Sequence, residues 1–345
     1  MHTKRVFYLD FIRAFACISI LIIHFNAAVS GYDNGVFVYS NSVFPNYIFN
    51  GVYLGGFGVS LFFILSGATL MTVYKDGCPP IFKFYKKRFL SIYPMFWLAF
   101  IISISCNFLV NKYVGQAPLY YLIFSALGID GNLFAMGITG FGFYQLGEWF
   151  LGCIIGLYLV YPLLSYLFKK IPVIFTISII LLYGICNFYF HVNSSFFVVR
   201  IPEFVLGMIF AKYYMKHKLS WHEVLISFCV GAVAWVLSKH IDALSYQIII
   251  SACAFVILVY FAQFIKSQKT MNLFSGISKY TYAAFLVHHQ LVFYLIKGLN
   301  LASLPKRQLA LLFFIYLVTT GGLAVMIFKI NAYIILNVKH AFIKS

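Results

Sequence analysis

Charged residues are scarce in this sequence. Only 10% of the 345 residues are charged and just 8 are Asp or Glu, whereas 63% are hydrophobic and 20% are aromatic. A soluble globular protein carries about 25% charged residues. So little charge cannot cover a water-facing surface, which excludes a soluble enzyme, a disordered chain and a secreted disulfide scaffold. The mean hydropathy of +0.92 indicates an all-α, polytopic integral membrane protein.

Cysteine motifs and long hydrophilic segments are missing as well. The seven cysteines show no CxxC spacing, which is evidence against a disulfide framework and against a zinc site. No hydrophilic insertion is long enough to form a second, soluble domain, so we expect one transmembrane domain over residues 1–345. No internal repeat of the kind found in many transporters is visible.

Long apolar stretches dominate what is present. A helix crosses the hydrocarbon core with about 20 apolar residues, and β-barrel strands are shorter and alternate in polarity. Residues 117–137 are apolar but interrupted by Asp130, Gly131 and Asn132, which indicates a re-entrant or interfacial segment. We predict ten transmembrane helices, at residues 7–29, 51–74, 89–110, 144–167, 171–190, 196–215, 222–239, 246–265, 280–298 and 308–335.

The basic residues indicate the orientation of these helices. There are 25 Lys and Arg, which gives a formal charge of +17. If the N-terminus is cytoplasmic, 18 of them are counted on the cytoplasmic side and five on the outer side, and the two left over, Arg13 and Arg200, lie within spans. This is the bias of the positive-inside rule for a chain with both termini in the cytoplasm. The surplus therefore reflects membrane topology, and we expect no nucleic-acid partner.

The first predicted helix carries Asp10, Arg13 and His24, and charge within a span costs about 2.5–3.5 kcal/mol on insertion scales. Eleven positions separate Arg13 from His24, which turns the helix about 1100°, so both side chains project from one face roughly 16 Å apart. Asp10 lies one turn from Arg13 and can pair with it. One interpretation is an interfacial ion pair plus a packing histidine; we favour a function, because imidazole suits a general base or a proton relay.

Other polar groups stand out along the chain. Glu148 with Trp149 and the pair Arg200 and Glu203 fall within predicted spans, and the latter two can simply neutralise each other. His288 and His289 are adjacent, so on a helix they point about 100° apart and cannot both face one metal ion. A basic cluster precedes the third span. It either anchors the chain on the cytoplasmic side or binds a polyanionic substrate there. Its members are Lys83, Lys86, Lys87 and Arg88.

Six ordered blocks of this sequence resemble the acyltransferase-3 family, which transfers acyl groups from cytoplasmic acyl-coenzyme A to extracytoplasmic sugars. The resemblance covers nearly the whole chain. The blocks are Leu9-Asp10-Phe11-Ile12-Arg13 with His24, Phe62-Phe63-Ile64-Leu65-Ser66-Gly67, Arg88-Phe89-Leu90-Ser91-Ile92-Tyr93-Pro94, Trp149-Phe150-Leu151 with Tyr161-Pro162, Arg200-Ile201-Pro202-Glu203-Phe204 with Gly207, and Tyr282 with Phe285-Leu286-Val287-His288.

The sequence departs from the family pattern at two places. Ser91 stands where many members have a second Arg, so coenzyme A docking is expected to rest on Arg88 with Lys86 and Lys87. Ile154 and Ile155 stand where many members have a Glu pair. The chain is most similar to compact members that acetylate surface polysaccharides or their lipid-linked precursors.

The resemblance implies a membrane O-acyltransferase in the bacterial inner membrane, with acetyl as the expected acyl group. Acetyl-coenzyme A is then a donor substrate, and no permanently bound cofactor or metal is expected. Phosphates of the donor would meet Arg13, Lys86, Lys87 and Arg88.

The same resemblance implies roles for the buried polar residues. His24 would deprotonate a sugar hydroxyl or carry the acyl group, and Asp10 or Glu148 would tune the basic groups. The expected acceptor contacts are Trp149, Arg200, Glu203 and His288. The alternative is a transporter or flippase of a glycan precursor that uses the same buried charges as a substrate path.

Overall fold

The computed structural model describes most of the chain, from residue 6 to residue 344. The described ranges are 6–33, 36–37, 41–75, 80–112, 117–140, 142–143, 146–147, 149–215 and 217–344.

The described residues form an all-α bundle, as the sequence predicts. Twelve α-helices lie in these ranges: α1 (Phe7–Val29), α2 (Leu54–Val73), α3 (Ile81–Asn111), α4 (Leu122–Leu127), α5 (Asp130–Ala135), α6 (Trp149–Lys170), α7 (Pro172–Gly184), α8 (Ile201–Tyr213), α9 (Trp221–Val236), α10 (Ala243–Ala262), α11 (Gln268–Ile296) and α12 (Lys306–Lys344).

Short elements complete the bundle. A π-helical turn over Ile185–Tyr189 extends α7, and a 3-10 turn over Phe197–Arg200 leads into α8. Two antiparallel strand pairs join α1 to α2: Tyr32–Asp33 with Val36–Phe37, and Tyr47–Ile48 with Val52–Tyr53. Each strand has two residues, so these pairs only shape the connection.

Side-chain caps fix the starts of three helices. Ser220, Asp242 and Ser267 precede α9, α10 and α11, and each side chain accepts a hydrogen bond from a backbone N–H of the first turn. At α9, Glu223 also accepts from the backbone N–H of Ser220, which completes a capping box.

Seven of the described helices are long and apolar enough to cross a membrane. They are α1, α2, α3, α6, α7 with its π-helical turn, α10 and α12. The three other predicted spans also coincide with helices, but α8 has 13 residues, α9 has 16, and α11 carries Lys279, His288, His289 and Gln290. The protein is thus an all-α membrane protein. The count of ten spans and the side on which the termini lie stay predictions.

The predicted re-entrant segment at residues 117–137 contains α4 and α5. Each of these helices has six residues, far fewer than the 20 that a crossing needs. Hydrogen bonds attach the segment to α3, because Tyr93 and Trp97 donate to the carbonyl oxygens of Leu127 and Ala126.

Helix α1 lies at the centre of the bundle and packs against α2, α10, α11 and α12. Arg13 contacts Ser278 near the start of both helices, and His24 contacts His288 towards their ends, so α1 and α11 run in the same direction. Arg13 also contacts Thr69 near the end of α2, so α2 runs the opposite way. The side chains of Arg13 and His24 thus face α11.

Similar contacts sort the ten long helices into two sets of opposite direction. Helices α1, α3, α7, α9 and α11 run one way, and α2, α6, α8, α10 and α12 run the other way. This strict alternation along the chain is what ten crossings require. The contacts that fix it include Ser60–Glu203, Thr72–Met215, Ile92–Tyr282, Asn111–Lys297, Phe63–Phe150, Tyr74–Tyr161, Phe84–Tyr161, Tyr183–Ser245, Asn187–Asp242, Leu219–Gln263, Gly231–Cys253 and Phe25–Phe313.

Two glycines bring α2 and α8 into backbone contact. A Cβ atom on Gly67 would lie 1.8 Å from the carbonyl oxygen of Phe204, and one on Gly207 would lie 1.9 Å from that of Ile64. No side chain fits into either position. Gly67 and Gly207 belong to two of the sequence blocks above, and their role in the structure is close helix packing.

Candidate active site

A cluster of three imidazole rings lies between α1 and α11. The ring centroid of His24 is 4.8 Å from that of His288 and 5.2 Å from that of His289, both in edge-to-face geometry. The parallel run of the two helices brings these rings to the same level. The structure thus places the predicted residues His24 and His288 together.

The hydrogen bonding of His288 fixes its tautomer. Its Nδ1 lies 2.7 Å from the carbonyl oxygen of Phe285. A carbonyl oxygen only accepts, so Nδ1 carries the proton and, in the neutral ring, Nε2 holds a lone pair. This Nε2 is buried and has no hydrogen-bond partner among the described residues.

A second polar cluster lies at the start of the same two helices. An Nη atom of Arg13 donates to Oδ1 of Asp10 at 3.1 Å and to Oγ of Ser278 at 3.0 Å. Ser278 and Ser275 of α11 donate in turn to the two oxygens of Asp10, at 2.7 and 3.1 Å. The carboxylate of Asp10 is 3% exposed and the side chain of Arg13 is 25% exposed. The pair therefore joins α1 to α11, and the carboxylate of Asp10 is buried between the helices.

One cavity of about 230 Å³ runs between these two clusters. On α1 its walls extend from Arg13 to Leu21, which is about 12 Å along the helix axis. His288 also lines it, and His24 lies one turn beyond Leu21. The other lining residues are Cys17, Ile20, Phe62, Ser66, Ser91, Ile92, Phe150, Leu151, Ile154, Tyr158, Thr281, Tyr282 and Phe285. A narrow, largely apolar passage thus connects Arg13 with the imidazoles.

Arg88 lies beside the cavity near its Arg13 end. Its guanidinium carbon is 5.6 Å from the ring centroid of Tyr158 and 6.0 Å from that of Phe84, which is cation–π geometry. Tyr158 lines the cavity, and so does Ser91, whose hydroxyl donates to the backbone carbonyl oxygen of Arg88 at 2.8 Å. Arg88 Nε is buried without a partner among the described residues, whereas Lys86 and Lys87 are exposed.

Arg200 and Glu203 form a buried polar network away from the cavity. Arg200 donates to Glu203 at 3.3 Å and, through Nε, to the carbonyl oxygen of Ser194 at 2.7 Å. Ser60 donates to the same carboxylate and accepts from Gln247. These contacts tie α8 to α2 and α10. Neither Arg200 nor Glu203 lines the cavity, so their predicted contact with the acceptor stays a prediction.

The remaining two predicted residues are Glu148 and Trp149. Trp149 is the first residue of α6; its ring contacts Phe150 and its backbone lies against Gly131 of α5. Phe150 lines the cavity but Trp149 does not. Glu148 lies outside the described residues.

Several functional candidates were not predicted from the sequence. Tyr158, Thr281, Tyr282, Ser66 and Cys17 all line the cavity. Tyr282 fell within a recognised block, but no spacing rule showed that its ring would lie between α11 and α3. Ser275 and Ser278 were missed because each is an ordinary residue in a polar stretch. Only the contact with α1 gives them a role.

The described residues contain no group of three or more His, Cys, Asp or Glu side chains arranged to hold a metal ion. The described side chains at this site supply three imidazoles, an arginine with its carboxylate partner, and several hydroxyl groups.

The fold and this site define a membrane protein with an internal passage from Arg13 to the imidazole cluster, which His288 joins to the cavity wall. A family model described as an acyltransferase domain matches residues 6–329, which is nearly the whole chain. The chain belongs to the acyltransferase-3 family, as its sequence blocks indicated. No curated protein and no solved structure matches it.

Proposed function

We propose that this membrane acyltransferase transfers an acetyl group from cytoplasmic acetyl-coenzyme A to a hydroxyl group of a cell-surface polysaccharide or its lipid-linked precursor. The family supports acyl transfer in a membrane, and the donor, the acceptor and a location in the bacterial cytoplasmic membrane are the proposal.

The observation that carries this proposal is the cavity between Arg13 and the imidazoles. An acyl-coenzyme A molecule is anionic at its nucleotide end and carries the thioester at the end of a thin, flexible arm. A passage about 12 Å long, cationic at one end and imidazole-lined at the other, suits such a molecule. In this proposal the acceptor approaches from the imidazole end.

Binding of the nucleotide end is assigned to the basic groups at the Arg13 end. Arg13 lines the cavity and Arg88 lies next to it, with Lys86 and Lys87 exposed on the same turn of α3. Guanidinium groups bind phosphate through paired hydrogen bonds, and lysines add charge.

Transfer of the acetyl group is assigned to His24. The neutral imidazole takes the proton of the acceptor hydroxyl group while the hydroxyl oxygen bonds to the thioester carbonyl carbon. The carbon–sulfur bond breaks, and the proton passes to the departing thiolate, so free coenzyme A and an ester are the products. Asp10 holds Arg13 in place, Glu148 is assigned to tuning the basic groups, and Trp149, Arg200 and Glu203 are assigned to the acceptor side.

The test is coenzyme A release by purified protein in detergent or nanodiscs, with acetyl-coenzyme A and a panel of glycan acceptors. We expect release with wild-type protein, loss of at least about 100-fold in His24→Ala, and no change in His240→Ala, an exposed histidine that serves as the control. Full activity of His24→Ala would contradict the mechanism. If the protein releases no coenzyme A with any acceptor but moves a glycan across the vesicle membrane, a transporter is favoured instead.

A further inference from the structure

The second imidazole at the reaction centre has a chemical property that the transfer step above does not use. His288 lines the cavity, and its Nδ1–H is engaged by the carbonyl oxygen of Phe285. Its Nε2 is therefore able only to accept a hydrogen bond in the neutral ring. Such buried acceptors are nearly always paired in folded proteins. The ring of His24 lies beside that of His288, with the centroids 4.8 Å apart.

His24 needs such an acceptor only during the reaction. When it takes the proton of the hydroxyl group it becomes an imidazolium cation among apolar side chains. A buried cation is strongly unfavourable unless a partner accepts its N–H. A neutral acceptor beside the ring stabilises that cation through a charge-assisted hydrogen bond, whereas the neutral form of His24 has less need of it.

We propose that His288 is a positioning residue of the transfer step, whose Nε2 accepts the N–H of protonated His24. The carbonyl oxygen of Phe285 orients His288, and His288 orients and stabilises His24, as the third member of a catalytic triad does for its histidine. This inference rests on the proposed function. No atom of His288 bonds to a substrate, and no net proton is gained or lost by it, because the shared proton still leaves with the thiolate.

His289 is the competing candidate, and the geometry favours His288. The ring of His289 is also near His24, at 5.2 Å between centroids, and its Nδ1 is buried without a partner among the described residues. However, it does not line the cavity, and no described hydrogen bond fixes its tautomer. His289 is adjacent to His288 and has the same volume, so it provides a matched control.

The experiment compares steady-state kinetics of His288→Leu, His288→Gln and His289→Leu in full-length protein, with acetyl-coenzyme A as donor and the acceptor that supports wild-type turnover. For His288→Leu we expect kcat to fall about 100-fold and KM for acetyl-coenzyme A to stay within about twofold. His288→Gln, whose amide oxygen can accept, should regain about tenfold of that loss. His289→Leu should lose at least about tenfold less kcat than His288→Leu. Size-exclusion profiles and thermal unfolding confirm that each variant is folded.

Each outcome decides the inference. Equal losses in His288→Leu and His289→Leu, or wild-type kcat in His288→Leu, overturn the role of His288 and leave the proposed function intact. A rise in KM with unchanged kcat also overturns it, since that indicates a binding contact. Wild-type protein that releases no coenzyme A with any acyl donor overturns the proposed function and this inference with it.

Discussion

Contacts with neighbouring side chains position Arg13 at one end of the cavity and His24 at the other. The sequence places Arg13 and His24 on one face of α1, and the structure agrees, because one lines the cavity and the other packs on its lining residue His288. Helical periodicity alone is enough for that prediction. It does not reveal Ser278, which binds both Asp10 and Arg13, since nothing in the sequence of α1 specifies which helix will face it.

Arg88 provides a test of the donor site at the scale of one side chain. Its guanidinium carbon lies 5.6 Å from the ring centroid of Tyr158 beside the cavity, and a lysine cannot bind a phosphate in a bidentate way. We expect Arg88→Lys to raise KM for acetyl-coenzyme A about tenfold and to change kcat less than twofold, because the lost contact is with a part of the donor that does not react. Initial rates over a range of donor concentrations measure this.

The control for Arg88→Lys is Lys266→Arg, the reverse exchange at an exposed site between α10 and α11. It should leave both kinetic constants unchanged. An unchanged KM in Arg88→Lys would mean that the nucleotide end of the donor binds elsewhere.

At the scale of helices, the apolar stretches predict which parts of the chain are helical better than they predict the first residue of each helix. Helix α1 matches its predicted range, but α3 begins at residue 81 and α11 at residue 268, earlier than the predicted 89 and 280. Hydropathy detects only the part of a helix that suits lipid. The extra turns of α11 are polar, and two of their serines bind Asp10. The helix continues through these polar turns because they contact Asp10 of α1. A search for apolar stretches does not detect such a contact.

The crossing of α2 and α8 depends on two glycines. Alanine at position 207 would place a methyl group 1.9 Å from the carbonyl oxygen of Ile64, so the helices must separate. We expect Gly207→Ala to lower the free energy of unfolding by about 3 kcal/mol or more, at the upper end of overpacking effects. Thermal unfolding in detergent measures the change.

The matched control is Gly276→Ala within α11, where a Cβ atom would have no neighbour within 4 Å. There we expect no loss, or a gain of roughly 0.5–1 kcal/mol from the better helix propensity of alanine. Equal stability of the two variants would show that α2 and α8 do not approach as closely as this geometry requires.

Asp242, which caps the start of α10, is expected to make a pH-dependent contribution to stability. Partial burial acts to raise the pKa of Asp242, but hydrogen bonds from Ser245 and Asn187 outweigh it, so the pKa of this carboxyl group is lowered. A lowered pKa stabilises the folded state above the unfolded value of about 3.9, and the contribution is lost as the pH falls through the folded value. Asp242→Ala should therefore lower Tm by roughly 2–4 °C at pH 7.

That difference in Tm should shrink as the pH is lowered below about 4, where the wild-type carboxyl group becomes protonated. Asp242→Asn, which retains a capping oxygen, should lose less than Asp242→Ala at pH 7. A difference between wild type and Asp242→Ala that grows towards low pH would have the wrong sign for a capping carboxylate.

At the scale of the whole molecule, the formal charge of +17 and the helix directions are independent observations that lead to the same arrangement. Charge counting orients the chain relative to the membrane, and side-chain contacts give only the relative directions of helices. The contacts place α1 and α12 in opposite directions, since Phe25 near the end of α1 meets Phe313 near the start of α12. If both helices cross the membrane, these opposite directions predict that the two termini lie on the same side.

This arrangement predicts which loops a membrane-impermeant maleimide reaches in intact cells. In full-length protein with its seven native cysteines replaced by serine or alanine, we introduce Lys218→Cys or Lys239→Cys at opposite ends of α9, or add a cysteine after Ser345. Lys239→Cys should be labelled in intact cells, because it lies in a predicted outer loop. Lys218→Cys and the C-terminal cysteine should be labelled only after permeabilisation. Labelling of the C-terminal cysteine alone in intact cells would require an odd number of crossings, and labelling of Lys218→Cys would mean that the donor site opens to the outside, where acyl-coenzyme A is absent.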